Sequence, residues 1–237
     1  MARQALERFY TRVRLIAQEE GFSVVLDSQR LCTPAGMPLI VPKISLAQAI
    51  AAEWRIQGRK IRPETMPLTQ LTNTAIDHMS LLRQEGFGTL LALIMTDLVC
   101  YRATAPQELV AFQQQQWQPL LDSMGQRYGT QLRVTAGVMP IRQPQRVLST
   151  LRTIFSEMDS FHLSALYRTA TLCGSMVIAL ALVDSTISAD TAFAATQLDQ
   201  LFQSTRWGID AATAARHSIL YYELQNIAHF IFLLSSE

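Results

Sequence analysis

Charged residues are scarce in this sequence relative to its hydrophobic content. They make up 16% of the 237 residues, whereas 49% are hydrophobic, and 20 basic against 19 acidic side chains leave a net charge of +1. The hydrophobic content excludes a wholly disordered chain, and the near-neutral charge argues against a protein that wraps nucleic acid. Low charge with high apolarity indicates either an uncharged polar surface or an apolar surface that another protein covers.

Long hydrophobic runs are also missing. The longest uncharged stretch, residues 169–183, is shorter than the roughly 18 apolar residues of a spanning helix, and it contains Thr169 and Gly174. We therefore expect a buried core helix and no membrane span; a peripheral membrane protein that uses this stretch is an alternative. The N-terminus lacks the apolar segment of a secretory signal. The expected location is the bacterial cytoplasm, without a signal or transit peptide.

Motifs for metals and cofactors are absent as well. The three cysteines, Cys32, Cys100 and Cys173, are widely separated, and the four histidines show no metal-ligand spacing. The sequence has no P-loop phosphate-binding motif, and the pair Gly86 and Gly88 lacks the third glycine of a dinucleotide-binding motif. We interpret the cysteines as reduced core thiols and expect neither a metal nor a cofactor.

The first part of the chain has the pattern of a small antiparallel sheet. Apolar residues alternate or cluster over 13–17 and 22–26, and turn-forming residues occupy 27–30 and 34–37. With one following helix, this predicts a small N-terminal antiparallel β domain over residues 1–60.

From residue 45 onward the hydrophobic spacing becomes helical. Ser45 followed by Gln48 is typical of a capping box at a helix start. Gly58–Pro67 is predicted to be a loop or hinge, and the residues in or beside it form a basic group: Arg55, Arg59, Lys60 and Arg62. Later helices are expected at about 107–128, 145–157, 161–183, 189–206 and 211–235. The sequence thus predicts an α+β fold in which a larger, mainly α-helical domain occupies residues 61–237.

Two carboxylates inside or beside apolar helices are candidates for acid–base chemistry. Asp77 and Asp97, together with Tyr101, support the alternative hypothesis of a small soluble enzyme of unknown type. A structural role is favoured for all three, with Asp77 on a helix surface and Asp97 as a loop anchor or a local salt-bridge partner. We therefore expect no catalytic residues and no enzyme activity.

A polar helix face near residue 200 is the candidate for binding a partner. Asp199, Gln203 and Arg206 have the i, i+4, i+7 spacing that places them on one side of a helix. Trp207 follows at the helix end, where it is either a plug between helices or an interface anchor, and Asp210 starts the next helix. We expect Asp199, Gln203, Trp207 and Asp210 to contribute to a partner-binding face.

An ordered set of short segments spans nearly the whole chain. The most specific is Thr65-Met66-Pro67-Leu68-Thr69, followed by Asn73-Thr74-Ala75-Ile76-Asp77. The others include Arg8-Phe9-Tyr10, Thr33-Pro34-Ala35-Gly36, Ala51-Ala52-Glu53-Trp54, Thr96-Asp97-Leu98, Cys100-Tyr101-Arg102, Pro119-Leu120-Leu121, Gly137-Val138-Met139-Pro140, Leu198-Asp199, Phe202-Gln203 and Trp207-Gly208. Together they resemble the family of assembly chaperones for the alpha subunit of the F-type ATP synthase catalytic sector.

The resemblance implies a non-enzymatic protein of two parts, one β-rich and one helical. It implies that the chain holds the newly made alpha subunit and shields the surface that later faces the beta subunit, until the beta subunit arrives. The family often has consecutive acidic residues near position 200, whereas Gln200 and Leu201 follow Asp199 here. The role implied for acidic residues in that helix therefore falls on Asp199 alone.

Overall fold

A computed structural model describes residues 7–137 and 139–236, apart from the side chains of residues 205–207. The strands are β1 (Val13–Gln18), β2 (Gly21–Leu26), β3 (Gln29–Arg30), β4 (Ile40–Val41), β5 (Tyr101–Arg102) and β6 (Thr135–Ala136). The helices are α1 (Ile44–Arg55), α2 (Pro67–Asp77), α3 (Met79–Gln84), α4 (Gly88–Met95), α5 (Gln107–Tyr128), α6 (Gln145–Glu157), α7 (Ser160–Cys173), α8 (Met176–Val183), α9 (Ala189–Thr196), α10 (Leu198–Trp207) and α11 (Ala211–Ser235). This architecture confirms the predicted α+β class, with an antiparallel sheet first and mostly helices after it.

The N-terminal sheet is built around β2. Strand β1 pairs with it antiparallel from Val13 opposite Leu26 to Gln18 opposite Gly21, and the short β3 and β4 pair with its other edge. Residues 23–26 of β2 are buried, and α1 packs against β1 and β2. Gly21 allows the close approach of β4, because a Cβ atom there would lie 2.3 Å from the carbonyl oxygen of Val41.

The capping box predicted at Ser45 is not formed. Helix α1 begins at Ile44, two residues earlier than a cap at Ser45 requires, and Lys43 precedes it without a capping side chain. The hydroxyl of Ser45 instead donates a hydrogen bond to the carbonyl oxygen of Leu233, at 2.7 Å. The Ser45 hydroxyl thus donates to a distant carbonyl group and does not accept from the local backbone N–H that the spacing suggested.

Two of the predicted helices are each divided in two. The segment predicted at 161–183 becomes α7 and α8, which are separated at Gly174, where φ is +60°. The segment predicted at 189–206 becomes α9 and α10, which are separated at Gln197. The expectation of core burial holds for α8, in which every residue is buried. No helix in the described ranges is long and apolar enough to cross a membrane.

The chain divides into two compact units. As far as they are described, one contains residues from Met1–Leu81, Ser160–Ser164 and His229–Glu237, and the other contains Leu82–Asp159 and Ala165–Ala228. These units are not the two domains predicted from the sequence, and the domain boundary at residue 60 stays a prediction. For brevity we call them the sheet unit and the helical unit.

Candidate functional site

Asp199 lies in the first turn of α10 and is held by a side chain from α5. Its Oδ1 accepts a hydrogen bond from Nε2 of Gln113, at 2.8 Å. Gln113 is only 1% exposed, whereas Asp199 is half-buried. The carboxylate is therefore fixed at the edge of the helical unit's core, because its donor cannot move without disturbing buried neighbours.

Gln113 is the centre of a buried polar network. Its Oε1 accepts from the backbone N–H of Ala103 at 2.8 Å, and its own carbonyl oxygen accepts from Nη1 of Arg102 at 2.7 Å. The guanidinium carbon of Arg102 lies 5.1 Å from the centre of the Trp117 ring, and burial lowers the pKa of this arginine. Trp117 in turn donates from Nε1 to the carbonyl oxygen of Ala195, at 2.8 Å.

The other residues of the predicted partner-binding face follow Asp199 in sequence. Gln203 is exposed, four residues further along α10. Trp207 ends that helix, but its side chain lies outside the described residues, so the choice between a core plug and an interface anchor stays open. Ile209, in the connection to α11, is 46% exposed.

Asp210 is exposed and begins helix α11. Its Oδ1 accepts from the backbone N–H groups of Ala212 and Thr213, both at 3.0 Å, and its Oδ2 accepts from the Thr213 hydroxyl at 2.6 Å. The Thr213 hydroxyl and the backbone donors hold the pKa of Asp210 below its usual range. The carboxylate thus satisfies the free N–H groups of a helix start, which leaves its charge accessible to solvent.

Asp77 connects the end of α2 to a turn in the same unit. Its Oδ1 accepts from the Thr33 hydroxyl at 2.5 Å, and its Oδ2 accepts from the backbone N–H of Ala35 at 3.2 Å. The side chain is half-buried and supports the turn that leads towards β4. These hydrogen bonds give Asp77 a structural role, which is to hold this turn against the end of α2.

Asp97 is fully buried, and its carboxylate accepts from the N–H groups at the start of helix α8. Its Oδ1 accepts from the Ser175 hydroxyl at 2.7 Å, and its Oδ2 accepts from the backbone N–H groups of Met176 at 2.6 Å and Val177 at 3.2 Å. A fourth donor is the backbone N–H of Val99 at 3.1 Å. Burial raises the pKa of Asp97 to about 6, although all four donors act in the opposite direction. The residue joins two segments that are far apart in sequence.

Comparison with known proteins gives the chain a family. The model of the ATP12 chaperone protein family matches residues 7–125, about half of the chain. The chain belongs to the ATP12 chaperone family. A curated relative of this ATP12 chaperone is the mitochondrial atp12 protein of Schizosaccharomyces pombe, which is 26% identical over 216 residues, 86% of this chain and 74% of the relative.

Solved structures of relatives have the same fold as this ATP12 chaperone. The crystal structure of Atp12 from Paracoccus denitrificans is 36% identical, covers 96% of this chain and 98% of its own, and gives a TM-score of 0.88. A point mutant of the Paracoccus protein gives 0.89 at the same identity, with 96% of this chain and 97% of its own covered. A protein from Agrobacterium tumefaciens gives 0.87 at 32% identity, with 97% of this chain and 85% of its own covered. Membership supports a role as a chaperone in ATP synthase assembly.

The alternative of an enzyme finds little geometric support in this ATP12 chaperone. Asp97 has the raised pKa of a candidate acid, but its side chain has no exposure through which a substrate could reach it. Tyr101 donates from its hydroxyl to the carbonyl oxygen of Met95 at 2.9 Å. Asp77 belongs to the sheet unit, whereas Asp97 and Tyr101 belong to the helical unit. Each of the three therefore has bonds that account for it without catalysis.

Sequence reasoning missed two residues that organise this ATP12 chaperone. Glu53 is buried on the inner face of α1 and accepts from the backbone N–H groups of Leu68 and Thr69, at 2.8 and 2.9 Å, at the start of α2. Burial raises its pKa. The signal was an acid on the same helix face as Leu46 and Ile50. Gln113 carried a similar signal, because it lies four residues before the buried Trp117.

Proposed function

We propose that the chain binds the free alpha subunit of the ATP synthase catalytic sector and shields its subunit interface until the beta subunit arrives. The observation that carries this proposal is the agreement in fold and sequence with Atp12 from Paracoccus denitrificans along almost the full length of both chains. A subunit that awaits its partner exposes a large apolar interface, which promotes aggregation unless another protein covers it.

We propose that the contact surface includes the α10–α11 face, which we define as Asp199, Gln203, Trp207 and Asp210. Asp199 supports this assignment because Gln113 fixes its carboxylate, so little conformational freedom would be lost on binding. Asp210 adds a second carboxyl group, at the start of α11, whose pKa the Thr213 hydroxyl and the backbone donors lower. Ile209, which precedes Asp210 in sequence and is 46% exposed, would add apolar contact to the charge complementarity that the carboxylates offer a client.

The test is an aggregation assay with the alpha subunit of the same organism. The chain should keep the heated or diluted alpha subunit in solution and should form a complex with it that co-elutes in size-exclusion chromatography. Addition of the beta subunit should release the chain from that complex. An alpha subunit that aggregates equally with and without the chain would contradict the proposal.

Variants of the α10–α11 face test the surface separately. Asp199→Lys should weaken alpha binding by at least about tenfold, since a reversed charge at an interface opposes its partner. Gln203→Lys is a second variant, since Gln203 is exposed and its replacement disturbs no buried group. The matched control is Asp122→Lys on the exposed side of α5. Normal binding by folded Asp199→Lys and Gln203→Lys proteins would remove this face from the proposal.

A further inference from the structure

A cleft in the sheet unit has a pronounced local charge. It lies between the end of α1 and the start of α2, has a volume of about 560 Å³, and is lined by Ile56, Gln57, Gly58, Arg59, Lys60, Arg62 and Thr65. We call it the basic cleft. Three of the seven lining residues are cationic and none is acidic, and the exposed Arg55 precedes them at the end of α1. This is a concentrated positive patch on a chain whose net charge is only +1.

The cations of the basic cleft are largely uncompensated. Arg59 lies 3.4 Å from Glu7, but both side chains are mostly exposed, so the pair is weak. Within the described part of the chain, neither Lys60 nor Arg62 has a carboxylate within 4.0 Å, the distance that defines an ion pair. Their charge is therefore available to a ligand.

A buried glutamine braces the loop that forms the basic cleft. Gln57 is 5% exposed, and its Oε1 accepts from the backbone N–H of Arg62 at 2.8 Å. Its Nε2 donates to the carbonyl oxygen of Glu53 at 3.0 Å and to the Thr65 hydroxyl at 3.1 Å. The side chain thus ties both ends of the loop to the helix before it.

The N-terminal segment braces the same loop from outside. The backbone N–H of Arg8 donates to the carbonyl oxygen of Arg59 at 2.9 Å, and Nη1 of Arg8 donates to the carbonyl oxygen of Gln57 at 2.6 Å. Glu7 and Lys60 also form an antiparallel bridge. These hydrogen bonds fix the backbone of the loop from which the cationic side chains project, which lowers the entropic cost of ordering the loop on binding.

We propose that the basic cleft binds an acidic peptide segment that also carries an apolar side chain. The cations of the lining would pair with its carboxylates, while Ile56, which is 74% exposed in the same lining, would contact the apolar side chain. Arginine is suited to this task because its guanidinium pairs with a carboxylate through two parallel hydrogen bonds.

The chemistry of the lining favours a peptide over a nucleic acid. Single-stranded nucleic acid is held by aromatic rings that stack on bases, and the seven lining residues include no aromatic side chain. The three lining cations are also too few for the extended phosphate contacts that sustain non-specific binding at physiological salt. An exposed isoleucine among the cations suits a mixed acidic and apolar segment.

The test uses the full chain and a fluorescent peptide of aspartate and glutamate with a central leucine. Fluorescence anisotropy should show saturable binding that weakens as ionic strength rises beyond about 0.15 M, where the Debye length is about 8 Å. The double variant Lys60→Glu, Arg62→Glu should weaken binding by at least about tenfold. Ile56→Ser, or serine for leucine in the peptide, should weaken it by about threefold.

Matched controls separate the basic cleft from general charge effects. Arg142→Glu, Arg152→Glu makes the same change in net charge on exposed residues outside the cleft and should leave binding unchanged. If the first double variant unfolds, Lys60→Gln, Arg62→Gln replaces it and should give a smaller loss. Equal peptide binding by the cleft variants and the wild type would overturn the proposal. The proposal would also be overturned if an oligonucleotide displaced the peptide completely and the peptides with leucine and with serine bound equally well.

The basic cleft and the α10–α11 face can be tested independently. The cleft belongs to the sheet unit and the face to the helical unit, and the peptide assay contains no ATP synthase subunit. Loss of peptide binding with normal protection of the alpha subunit would support two separate surfaces. If the chain did not protect the alpha subunit, peptide binding by the basic cleft would still be supported by its own assay.

Discussion

At the scale of single residues, several carboxylates in this chain serve as acceptors for backbone N–H groups at helix starts. Asp97 accepts from the first N–H groups of α8, Glu53 accepts from those of α2, and Asp210 accepts from those of α11. The first four N–H groups of a helix have no acceptor within that helix, and a negative charge is favourable there. A chain with few charges has therefore placed several of its acids where they determine how a helix starts.

Replacement of Asp97 by asparagine tests this role. Asp97→Asn keeps the size but turns an NH₂ group towards a site that already holds four donors, so at least one donor loses its acceptor. We expect a loss of about 2 kcal/mol in the free energy of unfolding at neutral pH, measured by urea denaturation. The control is Asp122→Asn: among the described residues, the carboxylate of the exposed Asp122 accepts only from the half-buried Gln118, and its loss should cost less than about 0.5 kcal/mol. Equal losses would contradict the assignment.

The raised pKa of Asp97 also predicts how its contribution depends on pH. Its pKa is about 6 in the folded chain, against 3.8 for an ordinary aspartate, so the folded state binds this proton more tightly. The resulting stability is fully present below about pH 4 and is lost as the pH rises through about 6. The advantage of the wild type over Asp97→Asn should decline across this window by up to about 3 kcal/mol and be constant above it.

Urea denaturation at several pH values checks this, because the other carboxyl groups titrate equally in both proteins. Asp27 and Asp210, whose pKa values are lowered, give the opposite dependence, but they cancel in the difference. A difference that is constant from pH 4 to pH 7 would show that the Asp97 carboxyl is not perturbed.

At the scale of elements, Gly21 is the residue on which the N-terminal sheet depends. Its φ is +142°, and an added Cβ would meet the backbone oxygen of Val41 at 2.3 Å, so strand β4 would have to move. We expect Gly21→Ala to cost about 3 kcal/mol or more in urea denaturation. Gly36→Ala is the control, because its φ of +82° is also unfavourable but its added Cβ meets nothing within 4 Å. It should cost about 1 kcal/mol, and equal costs would show that β4 adjusts freely.

The helices show which features of the fold can be predicted from sequence. Helices α5 and α6 begin and end at the predicted residues. Pro106, Gly129 and Pro144 mark their ends, and each helix has an apolar face and a polar face. The division at Gly174 was not predicted, because residues on both sides are apolar and buried and give no periodic signal. The division depends on a distant segment, since the carbonyl oxygen of Gly174 accepts from the N–H of Leu98.

Prediction of the candidate site from the sequence has the same limit. The polar face of α10 follows from the spacing of Asp199 and Gln203, which any helical sequence of this kind displays. The hydrogen bond that fixes Asp199 comes from Gln113, 86 positions earlier in the chain, and no local pattern pairs the two. Sequence therefore indicates which side chains share a face but not which of them the core holds in place.

At the scale of the whole molecule, the low charge of the sequence is accompanied by exposed apolar side chains on the described surface. Helix α11 keeps Ile219 63% exposed and Tyr222 51% exposed. The sequence pI of about 7.8 means that the chain carries little net charge near neutral pH. Exposed apolar side chains and weak electrostatic repulsion both favour self-association.

We therefore expect Ile219→Lys to lower self-association of the free chain near pH 7.8, measured by light scattering as a function of protein concentration. The control is Ala215→Lys, at an exposed position one turn earlier in α11, which adds the same charge but removes almost no apolar surface. If the apolar contact drives association, Ile219→Lys should reduce the scattering clearly more than Ala215→Lys. Equal reductions would indicate that net charge alone governs the association, because the added positive charge is the change that the two variants share.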